Sequence, residues 1–289
     1  MSGSPPPFLD RYAALASNYD VLLCDVWGVI HNGVAAFPQA CETLQRVRKQ
    51  GGTVLLITNS PRPADAVVPQ LDQFGVPRDS YDGLVTSGDL TRAVIAERRG
   101  QAVFHLGPPR DLPVFAGLDV RLVDVETADY VVCTGLFDDT HETPENYRDL
   151  LQRLKARGLF MLCGNPDVVV ERGADLIYCA GALADLYQSL GGEVLYAGKP
   201  YAPIYTRALA KAETVRGNKT PLSRVLAIGD SLRTDLKGAA TLGVDFLFLT
   251  SGIHAGEIGA GGNPDPGTLQ FFFEQAKMAP KAVMHRLVW

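Results

Sequence analysis

Residues 225–239 read VLAIGDSLRTDLKGA. An apolar run, Val225–Ile228, suits a strand buried on both faces of a sheet, and it stops at Gly229-Asp230. Asp230 and Asp235 lie five residues apart across the entry to a segment with helical spacing, Thr234–Leu242. An apolar strand, a polar turn and a helix form the repeating unit of an α/β protein. In such folds ligands collect at the carboxyl ends of the strands.

The same unit recurs along the chain. Strands are expected at Val21–Cys24, Thr53–Ile57, Ala102–Leu106, Tyr130–Cys133, Leu159–Cys163, Val194–Ala197 and Phe246–Leu249. Helices are expected at Pro38–Gln50, Pro61–Phe74, Asp89–Arg99, Pro144–Arg157 and Pro203–Ala212, several opening at proline or after a capping residue. Three further strands end in polar clusters: VLLCDVWGVIHNG from Val21, VLLITNSPRPA from Val54, and VLYAGKPYAPIY from Val194. Taken singly, Asp25, Ser60 and Asp230 can serve as caps, and Lys199 can sit in solvent. Taken together, three carboxylates, a Thr/Asn pair and a lysine at strand ends describe a site. Grouped carboxylates repel unless a cation joins them, and oxygen ligands suit Mg²⁺. A lysine and the Thr58-Asn59 pair beside that cation would receive a phosphoryl group.

The order Asp25, Thr58-Asn59, Gly198-Lys199-Pro200 and Gly229-Asp230 through Asp235 resembles the four motifs of the haloacid dehalogenase (HAD) superfamily, mostly Mg²⁺-dependent phosphatases. It is most similar to subfamily IIA, the NagD-like and p-nitrophenyl phosphatase-like branch. The resemblance implies a Rossmann-like parallel-sheet core interrupted by an inserted α/β cap. Here that places the cap at residues 88–182 and the core at 1–87 and 183–289. It implies that Asp25 is the nucleophile forming an aspartyl-phosphate, that Thr58 holds a phosphoryl oxygen with Asn59 beside the substrate, and that Lys199 offsets charge on both. Mg²⁺ would be held by Asp25, the backbone carbonyl of Trp27 and Asp230, with Asp235 in support, while Gly28 permits the sharp turn after the nucleophile. Asn165 and Asp167 match a cap loop that contacts substrate in relatives; Asn165-Pro166 is also an ordinary turn.

One position departs from the pattern. Family phosphatases carry a second aspartate two residues after the nucleophile, as general acid and base; this chain has Trp27. Tryptophan cannot transfer a proton, and general acid–base catalysis is worth roughly 10²–10⁴-fold. Three readings stay open: His31 as a substitute proton carrier, a substrate with a good leaving group such as an acyl or aryl phosphate, or binding of a phosphorylated metabolite without turnover. A metal-independent dehalogenase is a fourth, since those relatives carry an aromatic residue here, but Asp230 and Asp235 argue for phosphate.

Composition narrows the rest. The 289 residues carry a formal charge of −5, so a general basic footprint for nucleic acid is absent. No apolar run reaches the length of a membrane span. The N-terminus, MSGSPPPF, lacks a secretory pattern and reads as a short disordered lead-in. Cys24, Cys41, Cys133, Cys163 and Cys179 are odd in number and without a CxxC pair, which argues for free thiols in the cytoplasm rather than disulfides or zinc. Asp138, Asp139 and His141 suit a helix start before Pro144 better than a second metal. Gly259–Gly267 reads as a loop. Phe271–Phe273 and Trp289 are expected to pack in the core, with a homodimer contact as the alternative.

Overall fold

The computed structural model describes residues 5–173, 175–259 and 264–289. Strands β1 (Val21–Asp25), β2 (Thr53–Thr58) and β3 (Gly83–Thr86) lie in one sheet with the last three strands of the chain, described below. Between them run helices α1 (Pro38–Lys49) and α2 (Ala64–Gln73). Helix α3 (Ser87–Glu97) then leaves this sheet for a second one, built from β4 (Ala102–Leu106), β5 (Arg121–Leu122), β6 (Tyr130–Cys133) and β7 (Met161–Cys163). Helix α4 (Arg148–Ala156), the antiparallel hairpin of β8 (Val169–Arg172) and β9 (Asp175–Tyr178), and α5 (Ala180–Ser189) follow, and β10 (Val194–Tyr196) completes the second sheet beside β7. The chain returns through α6 (Ala202–Arg216) to β11 (Val225–Gly229), α7 (Lys237–Leu242), β12 (Asp245–Leu249), α8 (Pro266–Ala276) and β13 (Ala282–Met284).

The first sheet is wholly parallel, in the order β13-β12-β11-β1-β2-β3. From β1 the chain builds outward in one direction through β2 and β3 and later in the other through β11 to β13. The order therefore reverses between β1 and β11, the place where open α/β sheets leave a crevice for ligands. Its strands are apolar throughout because both faces are covered. Leu22 and Cys24 of β1 join the cluster under α1 and α2, while Val21 and Leu23 join the one under α6 and α8. The second sheet is likewise parallel and covered on both sides, with Leu151, Leu183 and Tyr187 on one face and Ile95 and Val114 on the other.

Several expectations need correction. The 182/183 domain boundary falls inside α5, and β10 pairs with β7, so the inserted unit runs on to Tyr196. A buried parallel strand looks the same in either sheet, and the GKP motif after β10 made it read as core. The 87/88 boundary likewise falls in the first turn of α3. Helix α2 begins at Ala64 rather than Pro61, and residues Leu232–Leu236 form a π-helical turn before α7. Strands β3, β5, β8, β9 and β13 are short and were not anticipated. Residues 1–4 of the lead-in and 260–263 of the glycine-rich loop lie outside the described residues. The rest of the lead-in is docked: Pro7 accepts a hydrogen bond from Val283 N, and Phe8 bridges to Val283 at the sheet edge. The end of the glycine-rich loop opens α8, where the Asp265 carboxylate caps Thr268 N.

All five cysteines are free and buried. No helix among the described residues is long and apolar enough to cross a membrane. Within the phenylalanine run, Phe273 is 3% exposed in the core and Phe271 is 62% exposed. Trp289 is half-buried, its ring 6.0 Å from that of Tyr12. Phe273→Ala should therefore cost about 3–5 kcal/mol in denaturant unfolding. Phe271→Ser should stay within about 0.5 kcal/mol of wild type; equal losses would contradict this placement.

Candidate active site

Two strand ends, the turn behind one of them and the return segment supply the charged groups. Asp25 closes β1, Asp230 follows β11, Asp235 sits in the π-helical turn behind it, and Lys199 follows β10. All four are buried, and one carboxylate oxygen from each aspartate lies within 4.8 Å of the others. Lys199 Nζ donates to Asp25 Oδ1 at 2.5 Å and to Asp235 Oδ1 at 2.7 Å. Asp235 also accepts Ser231 N at 3.2 Å, and Asp230 accepts Ile253 N at 3.1 Å. At Gly28 the chain turns with φ +79°, and a Cβ there would stand 2.2 Å from Asp230 Oδ2. Only glycine lets the flap after β1 pass so close to that carboxylate.

Three carboxylates share one ammonium. Burial, then repulsion from Asp235, pushes Asp25 well above the usual carboxylate range, with Lys199 opposing. The same two causes raise Asp230 to about 8. Burial pulls Lys199 down, but Asp235 and Asp25 outweigh it and hold the ammonium above its ordinary value. Ionised together, these acids are short of positive charge, and oxygen donors at this spacing are the ligand set of a hard divalent cation. Among the described residues no other group of acids, histidines and cysteines is so arranged.

Thr58, one residue past the register partner of Asp25 on β2, lines the cleft between core and cap; its Oγ1 accepts Ser60 N at 3.2 Å, leaving its O–H to donate. Asn59, expected beside the substrate, is instead used up as a brace. Its Oδ1 accepts Lys199 N at 2.7 Å and Ser87 Oγ at 3.1 Å. Its Nδ2 donates to Asp167 Oδ1 at 3.0 Å and to Lys199 O at 3.3 Å. Those four bonds fill the capacity of a carboxamide. Asp167, from the loop after β7, thus reaches the site, and burial raises its carboxyl above the ordinary range. Asn165 lines the same cleft and accepts Asp167 N at 3.1 Å.

His31 does not reach the cleft lining. It is 2% exposed, with its ring 5.0 Å from Trp27 and 4.8 Å from Phe74. Its Nδ1 accepts Gly33 N, and burial lowers it to about 4. A neutral, enclosed imidazole props the flap rather than carrying protons. Trp27 lies across the cleft, where its Nε1 donates to the backbone carbonyl of Glu171 in β8. Gly173 N donates to Asn32 O at 3.2 Å, a second link between flap and hairpin.

The cleft has a volume of about 290 Å³ and is shared by core and cap. It exposes residues to which the motifs assigned no role in the site: Arg62, Arg110, Asp111, Asp139, Arg172 and Tyr178. Arg62 lies just past Thr58-Asn59 and was legible by position. The others come from irregular turns and a half-exposed hairpin, which leave no periodic signal. Asp138 and His141 pair with each other in solvent, while Asp139 turns inward to Arg110 and Arg172.

A family model described as haloacid dehalogenase-like hydrolase matches residues 22–121, and one described as HAD-hydrolase-like matches residues 196–282. A haloacid dehalogenase-like hydrolase from Brucella suis is 50% identical in sequence and superposes with TM-score 0.87 over 97% of this chain and all of that one. The 5'-nucleotidase YutF of Bacillus subtilis is 26% identical, the match covering 81% of this chain and 88% of that protein. A glycerol phosphate phosphatase from Mycobacterium tuberculosis, solved in complex with calcium, shares the fold with TM-score 0.65 at 22% identity, over 94% of this chain and 72% of that one.

Trp27→Phe keeps the ring but removes its N–H. It should destabilise the protein by about 1 kcal/mol and speed amide hydrogen exchange at residues 169–178. Unchanged exchange there would mean that the indole does not hold the hairpin.

Proposed function

This chain belongs to the haloacid dehalogenase-like hydrolases, and we propose that it is a cytoplasmic, Mg²⁺-dependent phosphohydrolase acting on a small phosphorylated metabolite through an aspartyl-phosphate on Asp25. The observation that carries this reading is the buried group Asp25, Asp230 and Asp235, with Lys199 bridging Asp25 and Asp235. The oxygen-only donor set fits Mg²⁺, which Asp25, Asp230 and the Trp27 carbonyl would hold with Asp235 in support. Bound there, the cation would neutralise charge on the transferring phosphoryl group. The names of curated relatives, a 5'-nucleotidase, a D-glycerol 3-phosphate phosphatase and a ribonucleotide monophosphatase, support a small phosphate ester as substrate.

In this reading an Asp25 carboxylate oxygen attacks phosphorus, and the bond from phosphorus to the leaving oxygen breaks. Lys199 and the Thr58 hydroxyl offset the charge gathered on the phosphoryl oxygens. Water then attacks phosphorus, the phosphorus–Asp25 bond breaks, and the water's proton ends on phosphate. Trp27 has no proton to give, and His31 is enclosed away from the cleft. The leaving group must therefore depart unprotonated, as a carboxylate or a phenolate does. Asp230 and Asp235 leave no advantage to a metal-independent dehalogenase.

With Mg²⁺, acyl and aryl phosphates should be cleaved at least about 100-fold faster than simple alkyl phosphates, the scale of the missing acid. Asp25→Asn should abolish turnover, measured as phosphate release. Binding of phosphorylated metabolites with no release from any class would replace catalysis with binding alone. A second outcome concerns pH. Asp230 is raised from 3.8 to about 8 in the folded chain. Its contribution to metal-free stability is therefore complete below about pH 4 and lost as pH rises through about 8. The Tm difference between Mg²⁺ and EDTA should widen over that interval and vanish in Asp230→Asn; a flat difference would count against a cation at this cluster.

A further inference from the structure

Thr58 and Asp167 mark the phosphoryl end of the cleft, and Asp167 is joined to Lys199 through Asn59. The other end of the cleft, on the cap side, is lined by three arginines from three separate elements. Arg62 comes from the loop after β2, Arg110 from the turn after β4, and Arg172 from the end of β8. Their counter-ions do not match them. Asp139 alone serves two of the three: it accepts Arg172 Nη1 and Nη2 at 3.1 and 2.7 Å and also pairs with Arg110. Asp111 stands 3.7 Å from Arg62 Nε, beyond hydrogen-bond distance, and that buried Nε has no acceptor among the described residues. Asp167 also lines the cleft, but its carboxylate is committed to Asn59 at the phosphoryl end.

We propose that the substrate's leaving group carries a second anionic group, a carboxylate or a further phosphate, received by Arg62, Arg110 and Arg172. This deepens the phosphohydrolase reading and rests on it for the position of the phosphoryl group. Guanidinium groups bind such anions through paired, charge-assisted hydrogen bonds. A volume of about 290 Å³ is at the small end for ligand pockets, so the substrate is a compact dianion-bearing metabolite rather than a nucleotide chain. Arg62 belongs to the core and the other two arginines to the cap. The same anion would therefore tie the two units together only when a correct substrate spans them.

Inert analogues separate this site from the chemistry. Calorimetric titration in Mg²⁺ should compare phenylphosphonate, 3-carboxyphenylphosphonate and benzene-1,3-bisphosphonate. At least one second anion should tighten binding tenfold or more, and the stronger arm identifies the group. In Arg110→Gln and Arg172→Gln, at one exposed and one half-buried side chain and checked for an unchanged Tm, the advantage should fall below about threefold. Equal binding of all three analogues by the wild type, or an advantage that survives both substitutions, overturns the proposal. Hydrolysis of 4-nitrophenyl phosphate tests the underlying reading independently. Turnover with no anion preference leaves the phosphohydrolase standing without this site, and an anion preference without turnover leaves this site standing on a binding protein.

Discussion

Three carboxylates held within 4.8 Å of one another, out of water, are the constraint around which the chain is arranged. Bringing like charges into a low-dielectric interior is unfavourable unless positive charge is brought with them. Parallel strands deliver Asp25 and Asp230 to one edge of the sheet, at the reversal between β1 and β11. The single lysine arrives by another route, at the end of the inserted cap. The insertion leaves the core at Ser87 and comes home at Lys199, and Asn59 hydrogen-bonds both points together with Asp167. One carboxamide thus joins the exit, the return and a loop of the cap. Charge balance in the core depends on the cap being folded and seated.

Trp27 changes what closure means here. The position that in family phosphatases moves a proton is occupied by a side chain that lines the cleft and holds the β8–β9 hairpin. Chemistry given up at the leaving oxygen is replaced by a contact across the entrance. On the proposed reading, phosphates whose leaving groups need no acid would be favoured, and discrimination would rest with the residues that receive those groups. His31 belongs to the same arrangement, as a neutral spacer between Trp27 and Phe74.

The core was legible because strands covered on both faces must be apolar along their length, and VLLCD, VLLIT and VLAIG are. The charged cluster was legible because Asp25, Lys199 and Asp230 each sit within two residues of the end of such a run, with Asp235 five residues beyond Asp230. The allegiance of β10 was not, since Val194–Tyr196 reads as a strand whichever sheet it joins. Asn59 was placed beside the substrate by the resemblance of its motif; its bracing role was not legible because its partners, Ser87, Asp167 and Lys199, are remote in sequence and show no spacing rule. The arginines were hidden for a related reason: Arg110 and Arg172 acquire meaning only when a turn and a hairpin face Arg62 across the cleft. Side chains that act across an interface between two units leave no period in either.

The bond from Trp27 to the hairpin ends on a main-chain oxygen, that of Glu171, and its companion, from Gly173 to Asn32, is main chain at both ends. The flap therefore grips the hairpin without reading any of its side chains. Residues along β8 and β9 that face the substrate chamber are free to diverge while the grip persists. Replacing a side chain along β8 or β9 would therefore leave this grip in place.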